Sequence, residues 1–139
     1  MKVKKVVEVQ AHYSFEAPLL PADLNKKSSR DAHFGGSLEL NEYLIPKPQN
    51  VYLVRVSGES MIDENIFDGD ILVVDRKEKP EDGKVVIASL NGEMAVKTLR
   101  EIDAKIYLYS ANKKFLPIEI QGFMEFRIQG VVKHVIHNM

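Results

Sequence analysis

Two short segments of the chain carry residue types suited to hydrolytic chemistry. In Ser57-Gly58-Glu59-Ser60-Met61, a serine follows a β-rich run, and the glycine permits an unusual backbone path. Such a path can expose the hydroxyl and aim backbone N–H groups at one point, as an oxyanion requires. Taken alone, a Ser-Gly pair is better explained by an ordinary turn, in which such pairs are common.

Lys97 is the second candidate, because it is the one charged residue between Met94 and Leu99. On a strand it would share a face with Ala95 and Leu99, so its stem would contact apolar surface. To act as a base near neutral pH, its amine needs a pKa lowered by about three units, roughly 4 kcal/mol, which burial can supply. A lysine reaching solvent from an edge strand explains Lys97 more simply when it is considered alone. Together, the two residues suit a serine activated by a desolvated lysine.

The elements that must position this pair are short strands. β-rich runs separated by turn signals occupy most of the chain after residue 50, and Asn91-Gly92 predicts a tight hairpin. These frequent turns, with almost no helical periodicity, predict a compact, mostly antiparallel β domain. The predicted strands are Tyr52–Val56, Ile71–Val74, Val85–Leu90, Met94–Leu99, Ile106–Tyr109, Pro117–Ile120 and Phe126–Ile136.

The first forty residues have a different character. Residues 24–36 are rich in polar residues and glycine, which predicts a flexible N-terminal arm over residues 1–37 ahead of a domain over residues 38–139. Within the arm, Val3, Val6, Val7 and Val9 are expected to add an edge strand. Residues 39–45 predict one or two helical turns, which Pro46 and Pro48 end.

Composition narrows the possible functions. The chain has 139 residues, 45% of them hydrophobic, which suits one domain with its own core. Its 19 basic and 20 acidic residues nearly cancel, which disfavours direct DNA binding. The absence of cysteine excludes disulfides, a thiol nucleophile and a thiolate metal site. No apolar run approaches the ~18–20 residues that span a bilayer, and no signal peptide is evident, so we expect a soluble, cytoplasmic protein with no membrane association.

Other polar residues give weaker signals. His134 and His137 would share a face of a helix but lie on opposite faces of a strand, so we expect no metal site and no cofactor. His12 and His33 lie in the arm without recognisable partners for a Ser-His-Asp triad. Four aspartates close in sequence are explained by turns and strand ends: Asp63, Asp68, Asp70 and Asp75.

The order and spacing of several blocks resemble the LexA/UmuD family of Ser-Lys self-cleaving peptidases. The resemblance covers residues 38–136, and the chain is most similar to UmuD-like members, which have no DNA-binding domain. The blocks are Val56-Ser57-Gly58-Glu59-Ser60-Met61, Asp68-Gly69-Asp70-Ile71-Leu72-Val73-Val74-Asp75, Asp82-Gly83-Lys84-Val85-Val86, Asn91-Gly92-Glu93, Val96-Lys97-Thr98-Leu99 and Gly130-Val131-Val132.

The resemblance implies a role for each site residue. Ser60 would be the nucleophile and Lys97 the general base, backbone amides at Glu59 and Ser60 would bind the oxyanion, and Met61 would help to shape the cleft. The implied fold is a strongly bent β structure with the arm reaching across the site. The implied biology is a homodimer of the SOS response to DNA damage, whose arm cleavage is stimulated by RecA filaments on single-stranded DNA. The cut dimer then serves a Y-family polymerase in translesion synthesis.

The arm departs from the family's cleavage pattern, which is a small residue followed by glycine. The collinear position falls at Leu24-Asn25, and the arm's glycines, Gly35 and Gly36, follow the bulky Phe34. Three explanations remain open: an unusual scissile bond, a changed pocket, or a protein that works uncut. The rival hypothesis is a non-catalytic module of the same fold that regulates a polymerase. A signal-peptidase-like enzyme would be expected to have a membrane anchor, and a repressor a DNA-binding head.

Overall fold

The computed structural model describes residues 1–8, 16–18 and 37–139. Ten strands and one short helix are assigned within these ranges. The strands are β1 (Lys2–Glu8), β2 (Glu16–Pro18), β3 (Ser37–Glu39), β4 (Val51–Ser57), β5 (Ile71–Asp75), β6 (Val85–Leu90), β7 (Glu93–Ile102), β8 (Lys105–Tyr109), β9 (Ile118–Glu119) and β10 (Phe126–Ile136), and the helix is α1 (Leu40–Leu44). Single 3-10 turns lie at Pro48–Asn50 and Ile62–Glu64.

Six of the strands form a closed barrel. They follow the order β1-β4-β5-β10-β6-β7, and pairing of Lys2 in β1 with Ala95 in β7 closes the ring. Strands β8 and β9 extend the sheet beyond β7, while β2 and β3 pair separately. The pairings along the barrel are antiparallel. The prediction of a compact, mostly antiparallel β domain is confirmed.

Long β10 is shared between two neighbours, and this arrangement bends the sheet. Its first half pairs with β6 and its second half with β5, with a register shift in each ladder. At the crossover, Gly130 packs so closely that an added Cβ would lie 2.5 Å from Val74 Cγ1 and 2.9 Å from the Asp75 carbonyl oxygen. A side chain at residue 130 is therefore excluded by the neighbouring strand.

Two hydrophobic clusters lie on opposite faces of the barrel wall. Adjacent residues of β6 point to opposite faces of the sheet, as strand alternation requires. Ile87 therefore belongs to the larger cluster and Val86 to the smaller one. The larger cluster contains Met1, Tyr52, Val54, Val56, Met61, Ile66, Leu72, Val74, Ile87 and Val96. The smaller cluster contains Val86, Ala88, Leu99, Leu108 and Val131, against which Ile118 and Ile120 also pack.

The N-terminal segment differs from the edge strand that the sequence predicted. Val3, Val6 and Val7 do lie in a strand, β1, but that strand pairs with β4 along its length and with β7 at Lys2. Val9 lies outside the described residues, and the proposed boundary between arm and domain at residue 37 stays a prediction. The predicted helical turns after residue 39 correspond to α1, which the Glu39 side chain caps by accepting the Glu42 N–H.

Candidate active site

Ser60 lies on the loop that follows β4, and its side chain is turned inward. The serine is 2% exposed, and Gly58, two residues earlier, has a φ of +104°, a conformation that favours glycine. The Gly58 N–H donates to Asp68 Oδ1 at 2.9 Å, while the Gly69 N–H donates to the Val56 carbonyl at 2.9 Å. The turn at residues 68–70 therefore holds the start of the serine loop in place.

Lys97 lies on β7 with its side chain half-buried. Its Nζ donates to Ser110 Oγ at 2.7 Å, and burial lowers the pKa of the amine below its ordinary value. The lysine lines a cleft of about 440 Å³ whose apolar walls include Met94, Leu108 and Ile118. The predicted contact of its stem with apolar surface fits this position.

The α-amino group of Met1 interacts with both of these residues, by a hydrogen bond to Ser60 and by charge repulsion from Lys97. It donates a hydrogen bond to Ser60 Oγ, while the Met1 carbonyl accepts the Val96 N–H at 2.8 Å. Desolvation, together with the charges of Lys97 and Lys2, lowers the pKa of this amine to about 6. These three groups therefore form one cluster: Ser60, the Met1 amine and Lys97. A positive charge on Lys97 disfavours protonation of the Met1 amine.

The hydrogen bonds of this cluster do not join Ser60 directly to Lys97 in the described residues. Ser60 Oγ is bonded by the Met1 amine, and the Lys97 amine is bonded to Ser110. A hydrogen bond between Ser60 and Lys97 would have to form in place of, or in addition to, these two contacts. The arrangement provides a buried hydroxyl and a desolvated amine, the two groups needed for acyl transfer.

The other predicted site residues have separate locations. Glu59 is exposed, and its carbonyl accepts from Asn112 Nδ2 at 2.9 Å. Met61 is fully buried in the larger hydrophobic cluster, and its role in shaping the cleft stays a prediction. The predicted cleavage position, Leu24-Asn25, lies outside the described residues, as do His12 and His33.

Three residues of this site were missed from the sequence: Met1, Ser110 and Asn112. Ser110 and Asn112 follow the predicted strand Ile106–Tyr109, and no motif marks the three residues after it. The buried state of Asn112, at 7% exposure, has no local sequence signal. Only the packing of the loop after β8 against the serine loop brings them to the site.

His134, His137 and Asp70 have structural partners. His134 stacks on Tyr43, with ring centroids 5.3 Å apart, whereas His137 Nδ1 lies 2.6 Å from Asp70 Oδ1. Asp70 Oδ2 accepts the Phe67 N–H at 2.8 Å, which closes a turn. Across residues 1–8, 16–18 and 37–139, no acidic, histidine or cysteine cluster could hold a metal ion. Within the same ranges, no helix is long and apolar enough to cross a membrane.

Comparison with known proteins agrees with this geometry. The family model described as Peptidase S24-like matches residues 22–133, which is more than half of the chain. The chain belongs to the S24 peptidase family. That family comprises self-cleaving serine peptidases, and the LexA/UmuD resemblance of the sequence is thereby confirmed.

Named relatives of this S24 chain fall into two groups. The chain is 42% identical to Protein ImpA from Salmonella typhimurium over 102 residues, which cover 72% of this chain and 68% of that protein. It is 38% identical to the LexA repressor of Xylella fastidiosa over 96 residues, or 69% of this chain and 46% of the repressor. It is 35% identical to LexA repressor 2 of Pseudomonas putida over 105 residues, or 72% and 52% of the two chains. The chain thus spans about half the length of these repressors.

Proposed function

We propose that this chain is a self-cleaving peptidase in which Ser60 is the nucleophile and Lys97 the general base. The observation that carries the proposal is the shared cluster of a buried serine hydroxyl and a half-buried lysine whose pKa burial lowers. Membership of the S24 family supports the same chemistry. Lys97 also lines a cleft of about 440 Å³ together with Met1, whose amine is bonded to Ser60 Oγ.

The reaction is an acyl transfer from the scissile peptide bond to Ser60 and then to water. Neutral Lys97 removes the hydroxyl proton as Ser60 Oγ attacks the carbonyl carbon, and the protonated lysine returns that proton to the departing amine. Water then hydrolyses the ester, again with Lys97 as base. Backbone N–H groups at Glu59 and Ser60 are the proposed oxyanion donors. The scissile bond is tethered, so effective concentration replaces substrate affinity.

The proposed cellular role follows the family. The protein acts in the SOS response as a cytoplasmic homodimer whose arm is cut when RecA–single-stranded DNA filaments favour the cleavage-competent state. The cut form serves a Y-family polymerase in translesion synthesis. ImpA and LexA relatives support this assignment to a DNA-damage response. The arm bond that is cut, with Leu24-Asn25 as the collinear position, is a separate part of the proposal.

The test is the intact mass of the purified chain after incubation at alkaline pH, or with RecA, an ATP analogue and single-stranded DNA. Mass is measured under denaturing conditions, because the pairing of β1 with β4 and β7 would keep a cut fragment attached. We expect a shorter product from the wild type and none from Ser60→Ala or Lys97→Ala. Matched controls are Ser89→Ala on β6 and Lys105→Ala, whose amine lies near Glu119 on the surface.

A second candidate function, a non-cleaving module that regulates a polymerase, is favoured by two observations. The arm has no Ala-Gly or Cys-Gly pair, and the Met1 amine donates a hydrogen bond to the Ser60 hydroxyl. An intact mass under every condition, with a Ser60→Ala chain that supports polymerase function as well as the wild type does, would establish this alternative over the peptidase.

A further inference from the structure

One tripeptide after β8 contacts both halves of the candidate active site. We name Ser110, Ala111 and Asn112 the bridging loop. On one side, Ser110 Oγ accepts a hydrogen bond from Lys97 Nζ at 2.7 Å. On the other side, the Ala111 N–H donates to Met61 Sδ at 3.3 Å, and the Ala111 carbonyl accepts the Asp63 N–H at 2.8 Å. The loop thus links the candidate base to the segment that carries the candidate nucleophile.

Asn112 anchors this loop from a buried position. Its Nδ2 donates to the Glu59 carbonyl at 2.9 Å, immediately before the serine, and its Oδ1 accepts the Lys114 N–H at 3.0 Å. Both ends of the buried amide are therefore bonded, as buried polar groups require. The Asn112 amide contacts Glu59, and Ser110, which contacts Lys97, lies only two residues before Asn112. The bridging loop therefore fixes the position of the lysine amine relative to the serine loop.

We propose that the bridging loop positions the Lys97 amine for proton transfer from Ser60, with Ser110 as the positioning residue. This inference rests on the proposed Ser60–Lys97 peptidase. A lysine side chain ends in a freely rotating amine on a flexible four-carbon stem, so burial alone does not aim its lone pair. A neutral amine has two N–H groups and one lone pair. When Ser110 accepts one N–H, the directions left to the lone pair are restricted.

The hydrogen bond to Ser110 and the burial of Lys97 act on the lysine pKa in opposite directions, and this separates positioning from pKa tuning. Burial lowers the lysine pKa through the loss of water around its charge. A hydroxyl acceptor works the other way, because it stabilises the ammonium form. Removing it should therefore lower the pKa of Lys97 further, yet slow the reaction of Ser60 even when the lysine is neutral. A residue that acted only by making Lys97 easier to deprotonate would not combine these two effects.

The test has two readouts on the full chain. The first is the rate at which Ser60 is labelled by a fluorophosphonate probe over a pH series, followed by intact mass. In that reaction the serine oxygen bonds to phosphorus as the P–F bond breaks, Lys97 takes the hydroxyl proton, and fluoride leaves. The second is the titration of Lys97 by NMR in chains with ¹³C-labelled lysine, assigned by the signal that Lys97→Ala loses.

We expect Ser110→Ala to lower the high-pH plateau of the labelling rate about tenfold, since a misplaced base costs one to two orders of magnitude. The same variant should shift the NMR titration of Lys97 to lower pH. Ser110→Thr keeps a hydroxyl acceptor and should restore most of both properties. The exposed-side-chain control, Lys105→Ala, should behave like the wild type.

The outcomes separate the inference from the function on which it rests. A wild-type plateau and an unshifted Lys97 titration in Ser110→Ala would overturn the positioning role. A wild-type chain that is not labelled at any pH, but whose Lys97 titration shifts when Ser110 is replaced, would overturn the peptidase and support the contact. A lowered plateau that Ser110→Thr does not restore would identify Ser110 as a packing residue, which also overturns the inference.

Discussion

At the scale of single residues, two partly buried amines set the protonation chemistry of the site. Lys97 and the Met1 α-amino group each have a pKa lowered by desolvation, and the charge of the lysine contributes to the lowering at Met1. Each amine is bonded to a serine hydroxyl, Lys97 to Ser110 and Met1 to Ser60. The protonation of these groups should therefore decide both reactivity and a part of the stability.

The first prediction concerns the pH dependence of self-cleavage in the proposed reaction. Lys97 acts as a base only when neutral, so the rate should rise with pH through its folded pKa, which lies below the ordinary value of 10.5. Lys97→Arg keeps a cation on a long stem that does not deprotonate in proteins, and should show no cleavage across the same pH series. The measurement is the product fraction by intact mass. Cleavage by the arginine variant would contradict the role of Lys97.

The second prediction concerns stability and the Met1 amine. Its pKa falls from 8.0 to about 6 on folding, so the unfolded chain binds more protons between these values, and stability should rise as pH increases across that window. After allowance for solvent screening, we expect a gain of about 1 kcal/mol from this group. Urea unfolding at both ends of the window measures it. An Nα-acetylated chain should lack this component, and an equal slope in both chains would contradict the assignment.

At the scale of elements, two close approaches hold the barrel and the site together. One is the crossover of β10 past β5, which Gly130 permits. The other is the packing of the bridging loop on the serine loop, which depends on Asn112. Each depends on a single residue, so each can be tested by one substitution with a matched control.

The third prediction is that Gly130→Ala destabilises the fold. The added methyl group would meet a valine side chain and the Asp75 backbone, and the backbone oxygen cannot move without disturbing the β5 ladder. Overpacking of this kind costs about 1–3 kcal/mol. Gly122→Ala is the matched control, since nothing lies within 4 Å of its added Cβ. Chemical denaturation of the two variants should differ, and equal midpoints would show that the crossover is more adaptable than its packing implies.

The fourth prediction is that Asn112→Ala weakens the fold by about 1–3 kcal/mol, because the Glu59 carbonyl and the Lys114 N–H lose their partner. The free energy of unfolding from urea titration measures the effect. Exposed Asn138 supplies the control, and its replacement by alanine should change stability little. If both variants unfolded together at the wild-type midpoint, the loop would not depend on this amide.

At the scale of the whole molecule, β1 is the strand that closes the barrel. It bonds to β4 along its length and to β7 at one end, and it carries Met1 into the larger hydrophobic cluster. With this much pairing, β1 is a structural part of the barrel, although it lies within the predicted arm of residues 1–37. Withdrawal of Met1 from Ser60 must therefore be paired with movement of the strand end.

The fifth prediction follows from this closure. A chain lacking residues 1–8 loses the pairing of β4 and β7 with β1 and the burial of Met1, so its unfolding free energy should fall by about 2–5 kcal/mol. The two unpaired edges should also promote association. Thermal unfolding and light scattering measure these effects. A chain lacking exposed Asn138 and Met139 is the control, and a truncated chain as stable as that control would make β1 dispensable.

Sequence patterns alone predicted the strand content, the hairpin at Asn91-Gly92 and the candidate pair of Ser60 and Lys97. These depend on local signals: β-branched alternation, turn residues, and blocks of fixed spacing around each residue. The family match confirmed the peptidase class, whereas the dyad itself stays a prediction.

The closure of the barrel and the contacts of Ser60 and Lys97 follow from the three-dimensional packing of the chain and could not be predicted from the sequence. The closure joins Lys2 to Ala95, and the contacts join Met1 to Ser60 and Ser110 to Lys97. None of these contacts has a local sequence signal, because each arises where segments distant in sequence pack together. A valine-rich run also has the same residue pattern whether its strand lies at a sheet edge or between two neighbours. Desolvation of Lys97 is likewise a property of the cleft walls around it, and those walls come from Met1, β1 and strands β6 to β9.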